Sequence, residues 1–251
     1  MPAPAAPKEP DPSETRVAAV KQVLDTKLAQ YGGTWSAPYI DLERGRDVTV
    51  NDEKLVAASL VKLYMLAVFD GIEHDTITDD ANVDALLKQM ITVSSNEAAN
   101  GLLSRIGNGD GKAAIATVTA TAQRYGFTSS EELRTLTGMA SGNAVENWTS
   151  TRDCGSFLSQ VYAGTLVSKN ASERMMQLLL GQTRRTKIPA GVPSGVKVAN
   201  KTGELAAVQN DVAIVFGTHP YVLAVMSSDI SSAVAPSQIT ELSRAVWDAA
   251  Q

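Results

Sequence analysis

The chain of 251 residues is long enough to bury a sizeable core, and its net charge of −5 is dispersed over both signs. This balance offers no basic face for nucleic acid, and no apolar stretch approaches the length of a transmembrane segment. The single cysteine, Cys154, excludes an intrachain disulfide, and the two histidines, His74 and His219, form no ligand-spaced pair. We therefore expect no metal site and no cofactor.

The first part of the chain predicts a leader, a helix and a hairpin. Residues 1–12 are rich in Pro and Ala, which is typical of a flexible leader such as remains after removal of an export signal. We therefore expect a secreted or cell-envelope protein. Ser13 is predicted as the N-cap of a helix that ends near Gly32. Two strand-like runs, 35–42 and 48–50, then flank a polar turn.

An apolar run at residues 57–69 follows, and it carries two functional groups one helical turn apart. Ser59 and Lys62 share a helix face, because residues three apart lie above one another. The first helical turn favours negative charge near Ser59, and apolar surroundings open the pKa of Lys62 to lowering. This is the chemistry of an activated serine nucleophile. A capping serine beside a solvent-reaching lysine is the alternative, since Ser-x-x-Lys also occurs by chance at 194–197.

The remainder of the chain predicts a helical middle and a closing set of strands. Five candidate helices follow in order: around the apolar faces 86–91 and 98–106, and at 113–125, 153–166 and 171–180. Three strand-like runs come next, at 196–205, 211–216 and 221–227, before a final helix that begins near Pro236.

Strands at both ends of the chain around a helical middle predict an α+β fold. We expect an antiparallel five-stranded sheet flanked by the N- and C-terminal helices, with an all-helical lobe inserted between the strands. The predicted sheet lobe takes residues 13–50 and 187–251, and the helical lobe takes residues 51–186. Together they form a single two-lobed catalytic unit with a cleft between the lobes.

Two further short patterns join the Ser-x-x-Lys pair. Ser94-Ser95-Asn96 lies just before a predicted helix, and Lys201-Thr202-Gly203 lies within a strand-like run. Ser-x-Asn alone is uninformative because it also occurs at 141–143 and 168–170, whereas Lys-Thr-Gly occurs once. The three patterns in this order, at a helix start, an interhelix loop and a strand, form a specific set.

With these motifs the chain resembles the class A β-lactamase-like family of serine penicillin-recognising enzymes. The resemblance implies that Ser59 attacks a carbonyl carbon and becomes acylated. It also implies that Lys62 accepts the serine proton and that Ser94 relays a proton to the departing nitrogen.

The resemblance also implies a set of substrate contacts. Asn96 would hold the substrate's amide oxygen, while Lys201 and Thr202 would anchor a substrate carboxylate. Gly203 would leave room for ligand along the strand, and the backbone N–H of Glu204 would complete the oxyanion hole with that of the nucleophile. Three residues also have a plain structural interpretation: Ser94 as a helix cap, Asn96 as a loop amide and Lys201 as a solvated strand residue.

The chain departs from the family's pattern in the loop that carries its deacylating glutamate. That glutamate belongs to a Glu-x-x-Leu-Asn signature, which residues 129–149 lack. Glu131, Glu132 and Glu146 are the carboxylates available there, and we interpret them as surface acids. Position 95 is serine where lactamases usually carry aspartate. We therefore expect β-lactams to form an acyl-enzyme that is hydrolysed slowly.

Two other functions fit the same sequence. One is a D,D-peptidase or esterase that acts on cell-wall peptides, and the other is a non-catalytic cell-envelope binding module. The expected partner is a small-molecule β-lactam or a D-Ala-D-Ala-like peptide, and we expect the protein to be a monomer.

Overall fold

Seven strands form one large sheet and one small sheet in the computed structural model, which describes residues 11–136 and 145–251. The strands are β1 (Thr34–Asp41), β2 (Arg46–Val50), β3 (Lys54–Val56), β4 (Trp148–Ser150), β5 (Lys197–Leu205), β6 (Val208–Phe216) and β7 (Tyr221–Ser228). The large sheet is antiparallel throughout and has the order β2-β1-β7-β6-β5. The strands from both ends of the chain therefore pair in one sheet, as predicted.

The helices lie before, between and after these strands. They are α1 (Pro12–Leu28), a 3₁₀ helix (Ala58–Met65), α2 (Leu66–Glu73), α3 (Ala81–Thr92), α4 (Asn96–Ile106), α5 (Gly111–Arg124), α6 (Thr151–Ala163), α7 (Lys169–Leu180), α8 (Ile188–Gly191) and α9 (Ala235–Ala250). The predicted α+β class with a helical insertion is confirmed.

The sheet buries both of its faces, and strand β6 shows how. Successive side chains of a strand point to opposite faces. Val212 and Ile214 pack with the core of the helical part, whereas Ala213 and Val215 pack with the core that α1 and α9 cover. Apolar burial on both faces explains the unbroken apolar run Val212–Phe216 in the second part of this strand.

The two ends of the first helix differ from the sequence prediction. The first helix is capped by Asp11, whose carboxylate accepts from the Ser13 backbone N–H at 3.0 Å, with Pro12 in the first turn. Ser13 is therefore not the cap: it is buried within α1 and its hydroxyl donates to Asp41 Oδ2 at 2.5 Å. The helix ends at Leu28, before the glycine expected to stop it.

Several short elements were not predicted from the sequence. Strands β3 and β4 pair with each other, and α8 is a single turn. The apolar run that carries Ser59 begins as the 3₁₀ helix and becomes α-helical only at Leu66. No helix among the described residues is long and apolar enough to cross a membrane. The predicted leader lies outside the described residues except for its last two.

Candidate active site

The 3₁₀ helix places the serine and the lysine of the first motif in contact. Lys62 Nζ lies 3.0 Å from Ser59 Oγ, and the lysine side chain is fully buried. Ala58, just before the serine, has a left-handed φ of +47°, a conformation that L-residues adopt at an energetic cost. The Ala57 backbone N–H donates to Asn147 O at 2.8 Å and ties this entry turn to the start of β4.

The second motif delivers two side chains to the same lysine. Ser95, not Ser94, caps α4, because its hydroxyl accepts from the Ala98 backbone N–H at 3.1 Å. Ser94 takes a left-handed φ of +61° and turns towards Lys62, whose Nζ lies 3.2 Å from its hydroxyl and 2.7 Å from its carbonyl. Asn96 Oδ1 accepts from the same ammonium at 2.7 Å. The capping interpretation of Ser94 is therefore wrong.

The third motif reaches the site from β5, at the other end of the chain. Lys201 is fully buried, and its Nζ donates to Ser94 Oγ at 2.9 Å and to the Thr202 carbonyl at 2.7 Å. The hydroxyl of Ser94 thus lies between two lysine side chains from distant elements. The Ser94 hydroxyl can therefore exchange a proton with either amine.

Strand β5 packs directly against the 3₁₀ helix that carries Ser59, at Gly203. A Cβ added there would lie 2.7 Å from the Ala57 carbonyl oxygen and 3.1 Å from the Leu60 nitrogen. Glycine is therefore required for the strand and the helix to approach this closely. Asn210, on the neighbouring strand, supports the same junction, since its Nδ2 donates to Val56 O at 3.0 Å and to Ala57 O at 3.3 Å. No sequence motif marks Asn210.

A polar cavity of about 200 Å³ collects the predicted residues. Its lining residues are Ser59, Ser94, Asn96, Arg184, Thr202 and Glu204. Lys62 and Lys201 lie behind this lining, within hydrogen-bond distance of its hydroxyl groups. The structure therefore brings all of the predicted side chains to one place. The oxyanion role of the two backbone N–H groups stays a prediction.

Burial and like charge both act on the two lysines. Burial lowers the pKa of Lys62 to about 8, with a further lowering by the charge of Arg184 and an opposing effect of Glu132. Burial also holds the pKa of Lys201 well below its usual range, and the charges of Lys62 and Arg184 add to this. A neutral Lys62 amine can therefore form near neutral pH and can accept the proton of Ser59.

The loop acids lie in three different environments. Glu131 pairs with Lys54 at 2.7 Å and Glu146 pairs with Arg134 at 2.8 Å. Glu132 is 1% exposed, and neither of its carboxylate oxygens has a hydrogen-bond partner in the described part of the chain. The interpretation of these residues as surface acids is therefore wrong for Glu132.

Burial raises the pKa of Glu132 to about 8, against the lowering effects of the Lys62 and Arg134 charges. The backbone of Glu132 is fixed against α5, since its N–H donates to Thr119 Oγ1 at 3.0 Å and its carbonyl accepts from that hydroxyl at 3.1 Å. No feature of the sequence distinguishes this glutamate from its neighbour, because its burial comes from tertiary packing.

Sequence reasoning also missed two cations beside Glu204. Arg184 Nη1 lies 2.5 Å from one of its carboxylate oxygens and Lys187 Nζ lies 2.8 Å from the other. These contacts hold the pKa of Glu204 below its usual value, despite the burial that opposes them. The dense basic run 184–187, next to the predicted strand, is the signal that could have indicated them.

Solved structures with the same fold cover nearly the whole chain. A β-lactamase from Chitinophaga pinensis has a TM-score of 0.83 at 20% identity, covering 92% of this chain and 99% of that chain. A β-lactamase from Sphaerobacter thermophilus has a TM-score of 0.77 at 22% identity, covering 94% and 97%. A PBP-A mutant, solved as an acyl-enzyme complex with penicillin G, has a TM-score of 0.77 at 22% identity, covering 92% and 96%.

No curated protein matches the chain. The model of the Beta-lactamase enzyme family, by contrast, matches residues 79–250. This match covers the second and third motifs and most of the chain. The chain therefore belongs to the β-lactamase enzyme family.

Proposed function

We propose that this protein is a serine hydrolase that is acylated on Ser59 by β-lactams and hydrolyses the acyl-enzyme slowly. The observation that carries the proposal is the position of Lys62 Nζ, within 3.2 Å of Ser59 Oγ, Ser94 Oγ and Asn96 Oδ1. One buried amine then contacts both the nucleophile and the relay. A module that only binds its ligand would gain nothing from burying this amine.

Acylation follows from these contacts. The Ser59 oxygen attacks the carbonyl carbon of the lactam and forms a bond to it as its proton passes to the Lys62 amine. The tetrahedral intermediate then breaks the C–N bond, and the Ser94 hydroxyl gives its proton to the departing nitrogen. Ser94 regains a proton from Lys62 or Lys201, since it contacts both.

Deacylation needs a base that activates water, and the acids near the cavity are poorly placed for this. Glu131 and Glu146 are ion-paired, and Glu132 is not among the described residues that line the cavity. Glu204 lines it, but both of its oxygens are paired with cations. Residues 137–144 contain no Asp or Glu in their sequence. This supports slow hydrolysis of the acyl-enzyme.

Mass spectrometry of the intact protein after mixing with penicillin G or nitrocefin tests the proposal. We expect an adduct of one ligand that maps to Ser59 and outlasts the mixing by minutes. Ser59→Ala should abolish it. Ser194→Ala is the matched control, since it removes the serine of the second Ser-x-x-Lys pattern and should leave the adduct intact. No adduct and no hydrolysis would refute the proposal.

A D,D-peptidase on the same residues is the second candidate. The ion pairs of Glu131 and Glu146 favour it, because a peptidase that is acylated on Ser59 can release its product without fast lactam turnover. Release of D-alanine from a peptide ending in D-Ala-D-Ala, lost in Ser59→Ala, would identify this activity. The natural substrate would then be a cell-wall peptide.

A further inference from the structure

The end of α3, which leads directly into Ser94, is held by two residues that lie 91 positions further along the chain. Gln182 Nε2 donates to the Ile91 carbonyl at 2.7 Å. The Thr183 backbone N–H and hydroxyl both donate to the Thr92 carbonyl at 3.0 Å. The last carbonyl groups of a helix find no partner within the helix, so bonds from outside satisfy them. These bonds fix the backbone two and three residues before Ser94.

Ser94 has a backbone conformation that needs this support. Its φ of +61° is left-handed, which costs free energy in an L-residue and persists only where the surroundings hold it. On the C-terminal side, the Ser95 N–H donates to the Gln89 carbonyl at 3.2 Å. On the N-terminal side, the support comes from Gln182 and Thr183. The direction of the Ser94 hydroxyl therefore depends on contacts on both sides of it.

Gln182 also connects this turn to the strand that carries Lys201. Its Oε1 accepts from the Arg184 backbone N–H at 2.9 Å, and the Arg184 carbonyl accepts from Asn200 Nδ2 at 3.2 Å. Asn200 immediately precedes Lys201 in β5. These contacts, which we call the Gln182 bridge, join the backbone before Ser94 to the strand before Lys201.

The Gln182 side chain suits this place because it is an amide. It is 2% exposed, and it donates through its nitrogen while it accepts through its oxygen. Leucine has a similar size but would remove both bonds, which is unfavourable in a buried place. Gln182 is not among the described residues that line the cavity. Its effect on the reaction must therefore pass through the residues that it holds.

We propose that Gln182 is a positioning residue, which keeps the Ser94 hydroxyl next to Lys201 and so keeps Ser94 able to protonate the departing nitrogen. The inference rests on the proposed function and concerns one step of it, the breaking of the C–N bond. Lys201 Nζ lies 2.9 Å from Ser94 Oγ, and loss of the Gln182 bridge lets the turn and β5 move apart. Proton delivery then slows, because it requires hydrogen-bond contact. Attack by Ser59 is less affected, since both bonds of the Gln182 side chain lie outside the 3₁₀ helix.

Two ligands with different leaving groups test this inference. The departing nitrogen of penicillin G needs a proton, whereas phenylacetylglycine 4-nitrophenyl ester releases a stable phenolate anion and needs none. The rate constant for acylation is measured for both ligands from the mass of the Ser59 adduct after rapid quenching. Gln182→Leu should slow acylation by penicillin G about ten- to a hundred-fold and by the ester less than about three-fold.

Gln160→Leu is the matched control. Gln160 Nε2 donates to the Tyr125 carbonyl at the end of α5 at 3.4 Å, and Gln160 is not among the described residues that line the cavity. The variant thus removes a glutamine bond to another helix end and should leave both rate constants unchanged. Ser94→Ala should show the same selectivity as Gln182→Leu, since it removes the proton donor itself. Equal slowing with both ligands in Gln182→Leu, or no slowing with either, overturns the inference.

Thr183→Val keeps the inference testable if a thermal melt shows that Gln182→Leu does not fold. It removes only the hydroxyl bond to the Thr92 carbonyl, while the backbone bond to that carbonyl remains. It should therefore slow acylation by penicillin G a few-fold and leave acylation by the ester unchanged. The absence of this selectivity in Thr183→Val overturns the inference. Failure of the proposed function is read separately, as absence of the Ser59 adduct in the wild-type protein.

Discussion

Replacement of Glu132 by glutamine tests whether this buried carboxyl, whose charge acts on Lys62, stays neutral in the folded protein. Its pKa is about 8 in the fold because of burial, against 4.5 for an exposed glutamate. The folded protein thus keeps a proton that the unfolded chain releases, so stability falls as pH rises from 4.5 to about 8 and is level above that.

The size of this effect follows from the shift. A rise in pKa from 4.5 to about 8 corresponds to about 5 kcal/mol lost across that window. Relaxation of the surroundings and entry of water reduce such energies, so we expect about 2–3 kcal/mol. Glutamine keeps the shape of the side chain without its charge. Glu132→Gln should therefore be more stable than wild type by that amount at pH 9 and nearly equal to it at pH 5.

Urea unfolding of both proteins at pH 5, 7 and 9 measures this difference. Apart from Lys62, whose pKa the Glu132 charge raises, the other titrating groups are common to the two proteins, so their contributions cancel to first order. Glu131→Gln is the matched control, because it removes the adjacent carboxylate, which is paired with Lys54 at the surface. It should change stability by less than about 1 kcal/mol at each pH. A Glu132→Gln protein that is no more stable than wild type at pH 9 would refute the assignment.

Two further predictions concern the nucleophile. The rate constant for acylation of Ser59 should rise with pH around a midpoint of about 8, as Lys62 loses its proton. Glu132→Gln should lower this midpoint, because it removes a negative charge that raises the pKa of Lys62. Stopped-flow acylation by nitrocefin measures the pH profile, and a flat profile would contradict the role of Lys62. Gly203→Ala should slow acylation at least ten-fold and destabilise the protein by about 1–3 kcal/mol, because its Cβ would lie 2.7 Å from Ala57 O. Gly111→Ala, with open space around it, is the control and should leave both nearly unchanged.

The sequence predicted the sheet well because its strands carry their own signal. The apolar runs of β6 and β7 are buried on both faces, and such runs bounded by turn residues indicate strands. The predicted N-cap of the first helix was wrong for a different reason. Asp11 and Ser13 are both good capping residues, and the choice between them depends on Asp41, which lies 28 residues from Ser13 and takes its hydroxyl.

Those residues of the site that stand in short motifs could be predicted from the sequence. Ser59, Ser94 and Lys201 each stand in a short pattern, and their order along the chain was enough to place them together. Glu132, Arg184 and Lys187 stand in no such pattern. Arg184 and Lys187 acquire their roles from ion pairs with Glu204, 20 and 17 residues away, and Glu132 from burial between elements. Contacts of this kind come from packing, which local spacing does not reveal.

The acceptors around Lys62 explain how one buried amine can serve as both a charged and a neutral group. Four oxygens surround Nζ, from Ser59, Asn96 and the hydroxyl and carbonyl of Ser94. A protonated amine has three N–H donors for them, so its charge is stabilised despite burial. A neutral amine keeps two N–H donors, enough for Ser94 O and Asn96 Oδ1, and one lone pair that can accept from the Ser59 hydroxyl. Both protonation states are thus satisfied at one position, which is what a base that returns its proton within a catalytic cycle requires.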